Sequence, residues 1–120
     1  MTKAIRGAVQ LKGNTSEAME EGVTMLLREL LRRNDLREDE IVSVIFSQTE
    51  DLDADNPARC ARTVGFSEVP LFCTQEPRYP GSLPLVVRVL LTAERPAWEE
   101  QATPVYLGGA EALRPDLQTG

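Results

Sequence analysis

The fold is decided by the stretch Leu85-Val86-Val87-Arg88-Val89-Leu90-Leu91-Thr92, an apolar run that contains a single charged residue. A similar run precedes it, Val69-Pro70-Leu71-Phe72-Cys73-Thr74-Gln75-Glu76-Pro77, and ends in a polar cluster. Both runs are typical of strands near the centre of a sheet. Because a guanidinium cannot lose its charge, an arginine within such a core requires a partner. Two candidates are open for Arg88, namely Glu76 and an anion from outside the chain.

Length and charge limit the kinds of protein that this chain can be. Its 120 residues predict a single domain over 1–120. The formal net charge of -6 argues against a nucleic-acid partner, which would require a dense basic face. All basic residues except Lys3 and Lys12 are arginines, whose planar fork matches carboxylates. A small anionic ligand is therefore compatible with the sequence, provided that the positive charge is concentrated locally.

The chain contains no histidine. This removes the commonest general base, the commonest metal ligand and any Ser–His or Cys–His pair. Cys60 and Cys73 are too few for a zinc motif, and although a disulfide between them stays open, a reduced setting is favoured. We therefore expect no metal and no cofactor. The N-terminal residues lack an apolar signal core and no run approaches membrane length, which predicts a soluble, cytoplasmic protein without membrane association.

Periodicity and capping signals predict the remaining elements. One long helix begins after a choice of N-caps at Asn14-Thr15-Ser16 and ends near Asn34, with one more turn over 36–40. A short helix follows the cap and proline at Asn56-Pro57 and ends before Gly65. Further strands are predicted over 4–11, 41–47 and 105–107, and 94–103 is predicted to be a loop. The run 41–47 is nearly all apolar, which predicts a strand covered on both faces.

This element count has a consequence for assembly. One long helix can cover only one face of a sheet of about five strands. The opposite face, if it is as apolar as the strands indicate, has to be buried against another copy of the chain. We therefore predict an α+β fold with a mixed sheet of about five strands, one long helix and a short helix, assembled into a closed homo-oligomer.

A set of short segments spans nearly the whole chain and is specific in combination. They are Ile5-Arg6-Gly7-Ala8, Asp51-Leu52, Pro57-Ala58-Arg59 with Arg62, Cys73-Thr74-Gln75-Glu76, Arg88-Val89 with Thr92, Val105-Tyr106-Leu107 and Leu113-Arg114-Pro115-Asp116-Leu117. In this order and spacing they resemble the small monofunctional chorismate mutases of the Bacillus type. The resemblance implies a homotrimeric pseudo-α/β-barrel with active sites at subunit interfaces. It also implies an isomerase that converts chorismate to prephenate, on the way to phenylalanine and tyrosine.

The resemblance assigns roles to residues on the first wall of the expected cleft. It places Arg88 at the ether oxygen of the substrate. Glu76 and the Cys73 region would meet the ring hydroxyl, and Arg88, Glu76 and Cys73 form the expected catalytic set. Arg6 and Tyr106 would hold a carboxylate. Further substrate contacts are expected at Phe72, Thr74, Gln75, Leu113 and Arg114.

A second wall of the cleft is expected from the neighbouring subunit. The resemblance places Arg59 and Arg62 there, and their spacing of three puts them on one helix face. Without the resemblance, the two arginines fit an ordinary solvated edge equally well. The sequence departs from the family pattern at Asn56, where an aromatic residue is familiar, and at Gly108-Gly109, which replaces bulkier residues.

Three alternatives stay open from the residues alone. Arg6 fits a position that points to solvent on a half-exposed strand. The same arginines would serve a non-catalytic trimeric module that binds a small dicarboxylate metabolite for regulation. A thiol enzyme with Cys73 as nucleophile is the third, although no histidine is present to activate the thiol.

The segment 113–117 is expected to close over a bound ligand, hinged at Gly108-Gly109.

Overall fold

Five strands form one mixed sheet in the computed structural model, which describes residues 1–117. In the sheet order β3-β2-β4-β1-β5, the inner strands β2 and β1 are each antiparallel to β4. The outer strands β3 and β5 are parallel to β2 and β1. The strand that carries Arg88 therefore lies at the centre of the sheet, as its apolar sequence predicts. The apolar run before it was also expected near the centre, but it forms the edge strand β3, so that expectation is wrong. The bounds are Thr2–Gln10 for β1, Ile41–Gln48 for β2, Leu71–Gln75 for β3, Val86–Glu94 for β4 and Val105–Leu107 for β5.

Two helices begin at side-chain caps. In α1, Ser16–Arg33, the hydroxyl of Thr15 accepts a hydrogen bond from the Ala18 amide at 3.0 Å. In α2, Pro57–Thr63, the Asn56 side chain accepts from the amides of the first turn. Each cap satisfies backbone donors that the helix leaves unpaired, so both predicted helices have a local cause. Short 3₁₀ turns lie at Glu38–Glu40, Ala110–Leu113 and Pro115–Leu117.

The core lies between the two helices and one face of the sheet. The apolar stripe of α1 is buried there, as its helical spacing predicts. Each such side chain contributes roughly 1.5–3 kcal/mol when it is fully removed from water. The largest fully buried side chains of this core are Ile5, Met19, Leu26, Leu27, Leu30, Phe46 and Leu91. Neither helix of the described part of the chain is long and apolar enough to cross a membrane.

Within residues 1–117, neither α-helix covers the opposite face of the sheet, which we call the open face, and only the short 3₁₀ turn Ala110–Leu113 packs on one edge of it. The open face carries Ile45, Phe72 and Leu90, which are 43%, 64% and 41% exposed. The prediction that residues 41–47 are covered on both faces is therefore wrong within one chain, because burial alternates along β2. The expectation that one long helix leaves a second apolar face exposed agrees with this alternation.

Candidate active site

The strand registers bring polar side chains together in two rows on the open face. In one row, Tyr106 lies opposite Ala8, Ala8 opposite Arg88, and Arg88 opposite Ser47. In the next row, Arg6 lies opposite Leu90. Side chains directly opposite one another on a sheet are about 5 Å apart at Cβ, so these residues border one depression. Its volume is about 260 Å³. The lining residues are Arg6, Gly7, Ile45, Ser47, Arg88, Val89, Leu90 and Tyr106.

Arg88 lines this depression and contacts Glu76, which borders a second pocket that Arg88 also lines. The Arg88 Nε atom lies 3.4 Å from Glu76 Oε1, and Ser47 Oγ donates to the same oxygen at 2.5 Å. The Glu76 amide donates to the carbonyl of Gln48 at 2.8 Å, which anchors the Glu76 backbone at the end of β3. Of the two candidates for Arg88, Glu76 is thus within reach in the same chain. Among residues 1–117, neither terminal nitrogen of Arg88 donates a hydrogen bond, so both are available to an anion at this half-exposed site.

The sequence places Arg88 among core residues, but the structure does not bury it. Its side chain is 41% exposed, because alternate β4 residues point to the open face. Ser47 is the residue of this cluster that sequence reasoning did not single out. It ends an apolar run like many strand-terminal serines, and only the β2–β4 register shows that it faces Arg88.

The end of the described chain lies across one edge of the site. Tyr106 is 9% exposed and packs with Ala8, Val86 and Ala110, with Leu113 against them. Beyond them, Arg114 donates to both carboxylate oxygens of Asp116 at 3.0 and 2.9 Å. This contact lowers the pKa of Asp116, and the charge of Arg6 adds a smaller effect in the same direction. The expected closing segment 113–117 is next to the site, while the chain beyond 117 lies outside the described residues.

Strand β3 divides its predicted site residues between the two faces. Phe72 and Thr74 lie opposite Ile45 and Ser47, on the open face. Cys73 instead points toward the helices and packs against the main core, with its Sγ atom 3.5 Å from Gln48 Oε1. Burial raises the pKa of this thiol, which does not favour a thiolate nucleophile.

In one chain the Cys73 thiol lies on the helix side of the sheet and Arg88 on the open face, so the structure does not bring these two side chains together. The contact between the Cys73 region and the ring hydroxyl stays a prediction. Gln75 is exposed at the end of β3. Both cysteines are free thiols. Cys60 is buried, and Cys73 is partly buried.

The arginines of α2 lie on the helix side of the sheet, away from Arg88. Arg59 donates to both oxygens of Asp55, at 2.7 and 2.5 Å, and Asp55 also accepts from Ser16. Arg59 first and Ser16 second hold the pKa of Asp55 well below its usual range. Arg62 is exposed and makes no ion pair with the described residues. One chain therefore does not bring these two arginines to the Arg88 site, so the two expected walls come together only if another subunit supplies the second.

The departures from the family pattern have local causes. Asn56 is the N-cap of α2, with its Oδ1 2.8 Å from the Ala58 amide, and an aromatic side chain would not make this bond. Gly108 has φ of 67°, and a Cβ there would lie 2.6 Å from the carbonyl oxygen of Gln10. Both the backbone conformation and the close approach require glycine.

Comparison with known proteins decides the family. The model of "Chorismate mutase type I" matches residues 2–117, nearly the whole chain. The chain belongs to the chorismate mutase type I family. The family expected from the short segments is thereby confirmed, and so are the isomerase class and the chorismate mutase function.

Individual relatives agree with the family model along the whole chain. The chain is 39% identical to chorismate mutase AroH of Thermus thermophilus, over 99% of this chain and 98% of that protein. It is 33% identical to chorismate mutase AroH of Bacillus subtilis, over 98% of this chain and 93% of that protein. A solved chorismate mutase from Clostridium thermocellum superposes with a TM-score of 0.86 at 38% identity, covering 92% of this chain and 98% of that one. This confirms the predicted α+β fold of the chorismate mutase type.

Proposed function

We propose that the depression around Arg88 binds chorismate and rearranges it to prephenate, with Arg88, Glu76 and Arg6 as the central charged groups. One observation carries the proposal: the Arg88 guanidinium contacts Glu76 at Nε, its terminal nitrogens make no hydrogen bond with residues 1–117, and Arg6 lines the same depression. Two cationic groups at one concave site suit a substrate with two carboxylates. Family membership supports the choice of chorismate among such substrates.

The chemistry requires charge and shape rather than proton transfer. In the rearrangement one C–O bond breaks while one C–C bond forms within the same molecule, so no proton has to move. Holding a flexible dianion in its reactive conformation removes part of the entropic barrier. Negative charge grows on the ether oxygen as the C–O bond lengthens, and a fixed guanidinium interacts with it more strongly in the transition state than in the substrate.

Glu76 and Ser47 act through the geometry of Arg88. The carboxylate contacts Nε and accepts from Ser47, so it restrains the guanidinium without occupying its terminal nitrogens. Its second oxygen, Oε2, has no hydrogen bond from residues 1–117 and is free to accept one from the ring hydroxyl. The remaining proposed substrate contacts are Phe72, Cys73, Thr74 and Gln75 on β3, Leu113 and Arg114 at the edge, and Tyr106 at a carboxylate.

The assembly in this proposal is a homotrimer with one active site at each subunit boundary. The exposed apolar residues of the open face, Ile45, Phe72 and Leu90, support burial against a second copy. The α2 arginines support a shared site, because Arg59 and Arg62 lie on the far side of their own sheet and can reach an Arg88 site only in another subunit. The single domain over 1–120 and the cytoplasmic setting stay predictions.

A direct assay tests the reaction. Purified protein is added to chorismate, and the loss of its absorbance is followed beside formation of prephenate, with the Arg88→Ala variant as the matched control. We expect rapid loss with the unmutated protein and little with the variant. A regulatory module would bind chorismate, measured by calorimetry, without consuming it. That result would replace the proposed reaction with the binding function.

A further inference from the structure

The loop between the two central site residues ends in an unusual backbone conformation. Residues 76–85 connect Glu76 to the strand of Arg88, and the last of them, Leu85, has φ of 58°. This left-handed region is unfavourable for a leucine, because its Cβ approaches the backbone too closely. The left-handed position within the same loop, Gly81, is a glycine. The other such non-glycine residue in the described chain is Asp35, and aspartate tolerates this region better than leucine does.

The turn after β2 holds Leu85 in this conformation. Both carboxylate oxygens of Asp51 accept from the Leu85 amide, at 3.0 and 3.3 Å. Asp51 is itself held by the Thr49 hydroxyl at 2.5 Å, and that hydroxyl accepts from the Val86 amide at 3.0 Å. On the other side, the Leu85 carbonyl accepts from the Leu11 amide at 2.7 Å. The peptide groups that enter β4 are therefore fixed from both sides.

This turn lies on the same strand end as the partners of Glu76. Gln48, which accepts from the Glu76 amide, precedes Thr49 directly, and Ser47 precedes Gln48. One short segment thus holds the carboxylate at one end of the loop and the entry to the Arg88 strand at the other. Arg88 lies three residues after Leu85, within the pairing that this entry begins.

We propose that Asp51 is a positioning residue for catalysis, which sets the place of Arg88 relative to Glu76 by holding Leu85 in the left-handed region. The inference rests on the proposed function. Without the Asp51 carboxylate, Leu85 relaxes to a negative φ, and the chain enters β4 from another direction. The Val86–Arg88 segment then shifts against Ser47 and Glu76. A misplacement of about 1 Å at a reacting group can lower the rate roughly 100-fold.

The test separates backbone conformation from lost packing. Asp51→Ala is expected to lower kcat about 10- to 100-fold, with a much smaller change in KM. Adding Leu85→Gly should restore most of kcat, because glycine adopts a positive φ without the carboxylate. Adding Leu85→Ala removes the same side-chain packing but retains the backbone penalty, so it should restore nothing. Glu50→Ala is the matched acidic control, since its exposed pair with Arg78 contacts the same loop without touching Leu85.

All variants are assayed well below their melting temperatures, with activity expressed per folded protein. Normal kcat in folded Asp51→Ala, or equal behaviour of the glycine and alanine double variants, overturns the inference. If Asp51→Ala does not fold, the double variant with Leu85→Gly is expected to fold and to turn over substrate, whereas the double variant with Leu85→Ala is not, and equal behaviour of the two overturns the inference. Amide hydrogen exchange at Leu85 and Val86, expected to quicken in Asp51→Ala but not in Glu50→Ala, reads the contact without substrate. Inactive unmutated protein would refute the proposed reaction, whereas active protein that is indifferent to Asp51 would refute only this inference.

Discussion

Two arginine–glutamate pairs differ in how completely the guanidinium is satisfied. Arg95 binds Glu40 through two nitrogens, at 2.7 and 3.0 Å, and also donates to the carbonyls of Asn34 and Asp35. Its guanidinium carbon lies 4.5 Å from the centre of the Trp98 ring. The two charged side chains are only 20% and 11% exposed. Arg95 thus has hydrogen-bond partners, a stacked ring and little access to solvent.

Arg88 contacts Glu76 through one longer approach of 3.4 Å, and the two side chains are 41% and 24% exposed. The difference teaches how to separate structural from functional arginines in a chain that has many of them. A guanidinium with filled donors and a stacked ring fastens segments together, here the end of α1, the turn at Glu38–Glu40 and the loop after β4. A guanidinium that a carboxylate orients, but whose remaining N–H donors are unpaired on a concave face, is suited to bind a ligand.

Arg88→Ala is the change with the largest expected effect, and it tests the difference between the Arg88–Glu76 and Arg95–Glu40 pairs most directly. We expect kcat/KM to fall at least about 100-fold, since loss of one donor to a developing oxyanion removes on the order of 3 kcal/mol of transition-state stabilisation. Lysine should restore only part of the activity, because a point charge does not reproduce the fork. Steady-state kinetics and thermal melts would be measured together. A fully active Arg88→Ala protein contradicts the mechanism.

The next largest effect concerns the two walls of the proposed shared cleft. One variant lacks Arg88, the other lacks both Arg59 and Arg62, and each should be nearly inactive alone. When they are unfolded in equal amounts and refolded together, about one boundary in four joins two intact walls. Activity should return to roughly a quarter of that of refolded unmutated protein. Mass spectrometry would show whether mixed oligomers have formed. If they have formed and the mixture is still inactive, each site lies within one chain.

Local signals made much of the fold predictable. The caps at Thr15 and Asn56 and the apolar spacing of α1 are contained in short stretches of sequence, so both helices were predicted close to their observed bounds. The strand of Arg88 is long and apolar, and its central position in the sheet was predicted from this pattern. The two-sided burial of β2 was predicted wrongly, because an apolar run does not tell whether its second face is covered by the same chain or by another.

The site was predictable only as a set of residue types. Glu76 was one of two candidate partners for Arg88 in the sequence. The contact depends on the loop over 76–85, whose course is fixed by contacts with residues that are distant in the chain. The facing of Ser47 toward Arg88 depends on strand register, and a slip of one residue would turn it away. The positive φ of Leu85 has no signal in its own residue type. Its cause is Asp51, 34 positions earlier in the chain.

Arg95→Met sharpens the contrast from the structural side. Methionine retains much of the stem over Trp98 but removes the Arg95 donor from two backbone carbonyls and from Glu40, which keeps only the Arg37 amide. We expect the melting temperature to fall by roughly 5 °C or more, while kcat/KM below the melting range changes less than about twofold. Arg28→Met is the matched control, because Arg28 is exposed and forms no ion pair with residues 1–117. A large loss of activity in folded Arg95→Met would show that filled donors do not identify a structural arginine.

The smallest expected effect is the pH dependence that the Arg95 pair gives to stability. The hydrogen bond from Arg95 first, and that from the Arg37 amide second, lower the pKa of Glu40 to about 2. An unfolded glutamate has a pKa of about 4.3, so the folded state favours the ionised form. This stabilisation is complete above about pH 5 and is lost as the pH falls toward 2. Denaturant melts at pH 7 and pH 3 should therefore show a smaller acid loss of unfolding free energy in Arg95→Met than in the unmutated protein or in Arg28→Met. Equal losses in all three proteins would mean that the Arg95–Glu40 pair does not carry the acid sensitivity assigned to it.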